Sequence, residues 1–197
     1  KISFKNFFFL FFFKGFIGEI ILAYKGFINS YQRQIFNGIS ESGLLAYSFF
    51  IGLVLFLQRL PDKLSINSQY LQNNNLNNEI GIDLFVSVFF VPIFLYIISF
   101  FLHIFCLPFG SKASVFESRV AFFWSTVVSS PFLLLFAILG GFSENVMLSE
   151  LFKLLSIFLY AWIFSSIFCW AHKFSTNIYL FLLLIIFYIS FTYLSFV

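Results

Sequence analysis

The chain has 197 residues, of which 61% are hydrophobic and only 10% charged, with a formal net charge of +3. A soluble domain carries roughly 25% charged residues, so a water-facing shell could not cover this much apolar surface, and lipid is the solvent implied for most of the chain. The small, dispersed positive charge excludes nucleic-acid binding through the phosphate backbone.

Phe alone fills 36 positions. Insertion scales rate Phe much like Leu, and its abundance beside Ile and Asn reads as the AT-rich codons of a low-GC genome. The expected class is an all-α integral membrane protein: an N-terminal amphipathic or interfacial segment, 1–42, followed by a five-span membrane domain, 43–197.

The start, KISFKNFFFLFFFKGF, has the basic beginning and apolar centre of a signal peptide. It lacks an A-x-A-like exit, and apolar runs follow throughout, so it is expected to be retained. Residues 7–24 are long enough to span, but Lys14 and Glu19 lie in the middle. Each would cost ~2.5–3.5 kcal/mol at the bilayer centre, and Gly15 and Gly18 weaken the helix further. An interfacial or re-entrant helix is therefore expected. The polar, basic stretch that follows is broken by Gly38, and Ser40 stands as an N-cap.

Five spans are predicted at 43–60, 82–107, 120–142, 151–170 and 178–197. The first ends at Arg59 and Pro61, before an Asn- and Gln-rich connector. The second contains Pro92 and His103, the third contains Pro131, the fourth is started by Ser149 and Glu150, and the fifth has no charged residue. Pro92 and Pro131 free the carbonyls of Val88 and Val127, which neighbouring Ser or Thr hydroxyls can re-satisfy. Kinks that shape the bundle are the expected result.

Between the second and third spans, Ser114 and Glu117 have the S-x-x-E spacing of a capping box at a helix start. Lys112 and Arg119 flank it as positive-inside anchors and as candidate contacts for anionic lipid, worth roughly 1 kcal/mol per basic residue near the surface. With five spans, Lys1, Lys5, Lys14, Lys25, Arg33, Lys112, Arg119 and Lys173 fall on one side, against Arg59, Lys63 and Lys153 on the other. This bias places the N-terminus and the 107–119 turn in the cytoplasm and the C-terminus outside.

Chemistry is sparse. No HExxH, GxSxG, Walker or GxGxxG pattern occurs in the sequence. His103 and His172 fall on the same side and read as interfacial side chains satisfied by water or backbone. Ser125, Thr126, Ser129 and Ser130 lack a partnering base for nucleophilic work. Cys106 and Cys169, in a reducing compartment and without CxxC spacing, read as neither disulfide nor metal site. No enzyme activity, cofactor, metal or nucleic-acid partner is expected. Small residues four apart, Ala121, Ser125 and Ser129 on span three and Ala161, Ser165 and Cys169 on span four, predict an antiparallel packing seam. It pairs Ala121 with Cys169, Ser125 with Ser165, and Ser129 with Ala161.

Two stretches, 33–64 and 109–131, together resemble the Yip (Ypt-interacting protein) domain family in its short alphaproteobacterial branch. The first carries Gly38, Ser40, Glu41, Leu45, Ala46 and Tyr47, with Arg59 and Pro61 at its far end; the second carries Gly110, Ser114, Arg119 and Trp124. The resemblance covers about residues 25–174. It implies a bundle of about five spans and, for bacterial members, an inner-membrane location. The D-L-Y-G-P-like motif of the GTPase-associated eukaryotic members is absent, so GTPase binding is not carried over. The functional expectation is a non-enzymatic membrane-organising or partner-binding protein, with an accessory or assembly subunit of a larger membrane complex, for example a respiratory one, as the alternative.

Overall fold

The computed structural model describes residues 15–67, 76–143, 145–175 and 179–180, and every regular element among them is helical. Helix α1 covers 15–23 and α2 covers Phe27–Phe36. The longer helices are α3 (Glu41–Asn67), α4 (Leu76–Phe85), α5 (Val91–Cys106), α6 (Val115–Gly141) and α7 (Val146–His172). A π-helical turn, Val86–Phe90, joins α4 to α5, and a 3₁₀ turn, Leu107–Phe109, follows α5. Among the described residues, four stretches are long and apolar enough to cross a bilayer: Glu41–Pro61, Asn78–Phe109, Val115–Gly141 and Val146–His172. These are compatible with an integral membrane protein. The fifth predicted span, 178–197, lies outside the described residues except for the helical pair 179–180, as does the 7–14 part of the N-terminal segment.

The ends of the helices differ from expectation for local reasons. Helix α3 continues through Pro61 to Asn67, so residues assigned to the connector are helical. Helix α7 begins at Val146, earlier than predicted, because Asn145 is its N-cap: its extended backbone lets Oδ1 accept from Met147 N at 2.9 Å. Ser149 therefore sits inside the helix. The capping box of α6 forms, with Glu117 N donating to Ser114 Oγ at 3.2 Å and Ser114 N donating to Glu117 Oε2 at 2.7 Å. Ser40 Oγ accepts from Gly43 N at 3.3 Å at the start of α3.

Pro92 and Pro131, both within the long apolar stretches, are accommodated differently. The Val127 carbonyl, deprived of a partner by Pro131, accepts the Ser130 hydroxyl at 2.7 Å. Ahead of Pro92 the chain instead widens into the π turn, where Val91 N–H reaches back five residues to the Val86 carbonyl.

Helix α6 is the centre of the bundle, packed against α7, α3, α5 and α2. Val120–Ser125 and Val127–Ser130 are buried without a break, and Trp124 and Phe123 are among the largest fully enclosed side chains. The rod formed by α4, the π turn and α5 packs on α6 and also on α3. Its closest approach is at Gly52, where an added Cβ would overlap the Ser87 carbonyl oxygen. That atom is backbone, so it cannot swing aside.

Gly52→Ala should therefore destabilise the bundle by about 1–3 kcal/mol, the usual cost of overpacking, read as a lower midpoint in denaturant titration of the detergent-solubilised protein. Gly81→Ala, where a Cβ meets nothing within 4 Å, should be neutral or gain up to about 1 kcal/mol. Equal responses would contradict the close α3–Ser87 approach.

Candidate functional site

Polar groups converge where α6 begins. After the 3₁₀ turn the chain reverses at Gly110, whose φ of 80° suits glycine, with Gly110 N bonded to the Leu107 carbonyl at 3.0 Å. The following residues cross the end of α7, and Lys112 N donates to the His172 carbonyl at 3.3 Å. The His172 ring is fully buried. Its Nδ1 lies 2.6 Å from Ser111 Oγ and its Nε2 lies 3.1 Å from Ser118 Oγ. A neutral imidazole has one donor and one acceptor nitrogen, and two hydroxyls that rotate freely satisfy either tautomer. His172 thus ties α7 both to the loop before α6 and to the first turn of α6.

A second tie joins α6 to α3. Arg119 Nη2 and Nη1 donate to Glu41 Oε1 and Oε2 at 2.6 and 3.3 Å, a fork geometry that fixes the guanidinium plane. The same guanidinium lies 5.9 Å from the ring centroids of Tyr96 and Phe116, within cation–π range. Helix α2 adds a third layer. Tyr31 OH donates to the Glu117 carbonyl at 3.1 Å, Trp124 Nε1 donates to Ser30 Oγ at 2.9 Å, and Tyr47 OH donates to Gln34 Oε1 at 2.9 Å. Burial, and secondarily the Glu117 carboxylate, push the Tyr31 phenol up, so it remains a donor at neutral pH.

Beside this polar layer, α5, α6, α7 and the residues after α7 line a half-open cavity of about 640 Å³. Phe105, Phe122, Phe164 and Phe168 form much of its wall. Cys106 and Cys169, both free thiols, also line it, and Lys173 stands at one end.

The predicted site residues are distributed as follows. Lys112 is exposed and has no ion pair among the described residues, whereas Arg119 is engaged by Glu41. The six seam residues Ala121, Ser125, Ser129, Ala161, Ser165 and Cys169 are all buried. The three seam serines return to carbonyls of their own helices: Ser125 to Phe122, Ser129 to Ser125 and Ser165 to Trp162. One part of the histidine expectation is corrected: His172 is satisfied by side-chain hydroxyls instead of water or backbone. His103 and His172 are both buried in the protein, with ring centroids 6.1 Å apart. His103 Nδ1 is buried without a partner. Among the described residues no three His, Cys, Asp or Glu groups could hold a metal ion.

Ser111, Ser118 and the polar face of α2 were not singled out by the sequence. The available signal was Ser30 and Gln34, four apart on a short amphipathic helix, which put two polar groups and the intervening Tyr31 on a buried face. Compared with known proteins, the chain matches no family model, no curated protein and no solved structure.

The two histidines should respond oppositely to replacement. His172→Leu strands the Ser111 and Ser118 hydroxyls and should cost about 1–3 kcal/mol, the penalty for unsatisfied buried polar groups. His103→Leu removes an already unpartnered nitrogen and should cost nothing or stabilise. Denaturant midpoints of both variants in detergent check this, and equal losses would contradict the bonding assigned to His172.

Proposed function

We propose that the chain is a non-enzymatic integral membrane protein of the Yip type, seated in a bacterial inner membrane with the start of α6 towards the cytoplasm, that organises membrane or holds partner proteins on the outside of its bundle. One observation carries this reading. The polar groups gathered at the start of α6 are spent on one another, through Glu41 with Arg119, Ser114 with Glu117, and His172 with Ser111 and Ser118. The adjoining cavity is walled by aromatic rings, and neither imidazole lines it. Acid–base or nucleophilic chemistry needs a group within hydrogen-bond reach of a substrate. The groups here serve instead as fasteners between helices.

The outer faces support the same reading. Along α4, the π turn and α5, Phe85, Phe89, Phe94, Phe101 and Phe105 are exposed, a surface that lipid chains or a partner's helix would cover. The N-terminal segment fits a re-entrant arrangement. Tyr24 OH donates to the Val128 carbonyl, midway along α6, at 2.7 Å, and Tyr31 meets the Glu117 carbonyl in its first turn. The chain thus reaches the middle of α6 and returns before α3. That supports counting α3 as the first span, with the fifth span and an outside C-terminus resting on the uncharged run 178–197.

Extraction in a gentle detergent followed by native-gel migration tests the proposal. A small isolated species, or one that shifts only with substoichiometric partners, is expected. Co-migration with one stoichiometric complex would overturn it in favour of an accessory or assembly subunit.

A further inference from the structure

The cavity beside α7 has a size, a depth, a composition and a charge that together specify a ligand. Its volume of about 640 Å³ falls within the roughly 300–1,000 Å³ of small-molecule sites. Its wall on α7 runs from Tyr160 to Lys173. At 1.5 Å rise per residue that is about 20 Å, comparable with the ~15 Å that one leaflet contributes to a 30 Å hydrocarbon core. The long part of the wall is aromatic and aliphatic. The polar end is formed by Lys173, Ser175 and the chain reversal at Gly110.

The charge at that end is one-sided. Lys173 occupies the left-handed position that closes α7, with φ 59°, so that Lys173 N bonds the Trp170 carbonyl and Phe174 N bonds the Cys169 carbonyl. Glycine usually holds this place, yet here a long cationic side chain does. Lys112 is brought alongside by its backbone bond to the His172 carbonyl at 3.3 Å. Among the described residues no Asp or Glu lines the cavity. Of the nearby acids, Glu117 closes the capping box and Glu41 grips Arg119. Neither lysine has an ion pair among the described residues.

We propose that this cavity is a binding site for one anionic membrane phospholipid, with an acyl chain lying along α7 among Phe164, Phe168 and Phe105 and the headgroup phosphate held by Lys173 and Lys112. This rests on the membrane reading above and deepens it by assigning a ligand class. The site takes its occupant from the leaflet that borders the start of α6. Headgroup charge sets its preference, because the apolar wall accepts any acyl chain.

The test uses the full chain reconstituted in nanodiscs of equal parts phosphatidylglycerol and phosphatidylcholine, released into detergent, with the retained lipid counted by native mass spectrometry. One retained phosphatidylglycerol per chain is expected, in clear preference to phosphatidylcholine. Lys173→Gln should weaken that preference about fivefold, the equivalent of ~1 kcal/mol for one basic residue, and Lys173→Gln with Lys112→Gln by more. Both substitutions lie at the surface and leave the core intact. Leu102→Trp, at the cavity wall, should lower retention of either lipid, with unchanged gel migration showing that it folds.

Equal retention of the two lipids by the unaltered chain, or an undiminished preference in the double lysine variant, would overturn the proposal. A protein that migrates alone but retains no lipid sinks this inference and spares the partner-binding reading. A protein that retains the lipid inside one stoichiometric complex does the reverse.

Discussion

The close approach of α6 to α7 is the constraint on which the rest of the fold depends. In a bilayer, apolar surface gains little by leaving lipid for protein, so helices associate through backbone proximity, van der Waals contact and hydrogen bonds. Each of these requires small side chains where two helices meet. Ala121, Ser125 and Ser129 on one helix, and Ala161, Ser165 and Cys169 on the other, are buried in a continuous line. The Ser118–His172 bond at 3.1 Å lies three residues before Ala121 and three after Cys169, in step with the antiparallel register expected from the sequence. At the other end Gly140 approaches Ser149 closely enough for ordinary contact with an added Cβ. With the register held at both ends, the large rings of α6, Phe123 and Trp124, are turned towards α5, where Phe123 meets Tyr96, and towards α3, where Trp124 meets Tyr47.

Long apolar stretches also govern how most of their polar groups are satisfied. A hydroxyl or carbonyl at bilayer depth cannot fall back on water, and an unmade bond there is costly. Ser125, Ser129 and Ser130 of α6 and Ser165 and Ser166 of α7 resolve this locally by bonding carbonyls three or four residues back. Proline is treated as one more vacancy, filled by Ser130 at Pro131 and avoided by a π turn at Pro92. The larger polar groups are gathered at one end, where α2, α3, α6 and α7 share Glu41, Arg119, Tyr31 and His172. Lys173, at that end, lines the aromatic cavity.

Much of this was legible in the sequence, because it depends on local rules. Helical class, the four described apolar spans, the capping box at Ser114 and Glu117, the re-satisfied Val127 carbonyl and the Ser40 cap all follow from spacing within a few residues. The start of α7 was misplaced because Asn145 and Ser149 are both acceptable caps, and backbone geometry decided for Asn145. The π turn was unreadable because a proline can be absorbed by a kink or by an inserted residue, and close packing of Gly52 on Ser87 accompanies the second outcome. The partners of His172 were missed for a different reason. Ser111 and Ser118 reach His172 across 61 and 54 positions of chain, and nothing in the local pattern announces such pairs.

The central claim, that α6 and α7 pack in the register set by Ser118 and His172, is tested most directly by a cross-link. In a Cys106→Ala background, Ala121→Cys places a new thiol opposite Cys169, and disulfides tolerate Cα separations of about 4.4–6.8 Å. Mild oxidation should join the two within a single chain, seen as a faster-migrating band that reduction removes. Phe122→Cys, whose native ring packs near Phe164 at 6.1 Å, should form the bond poorly. Ready cross-linking from position 122 with none from 121 would contradict the register and require α6 to be rotated in the bundle.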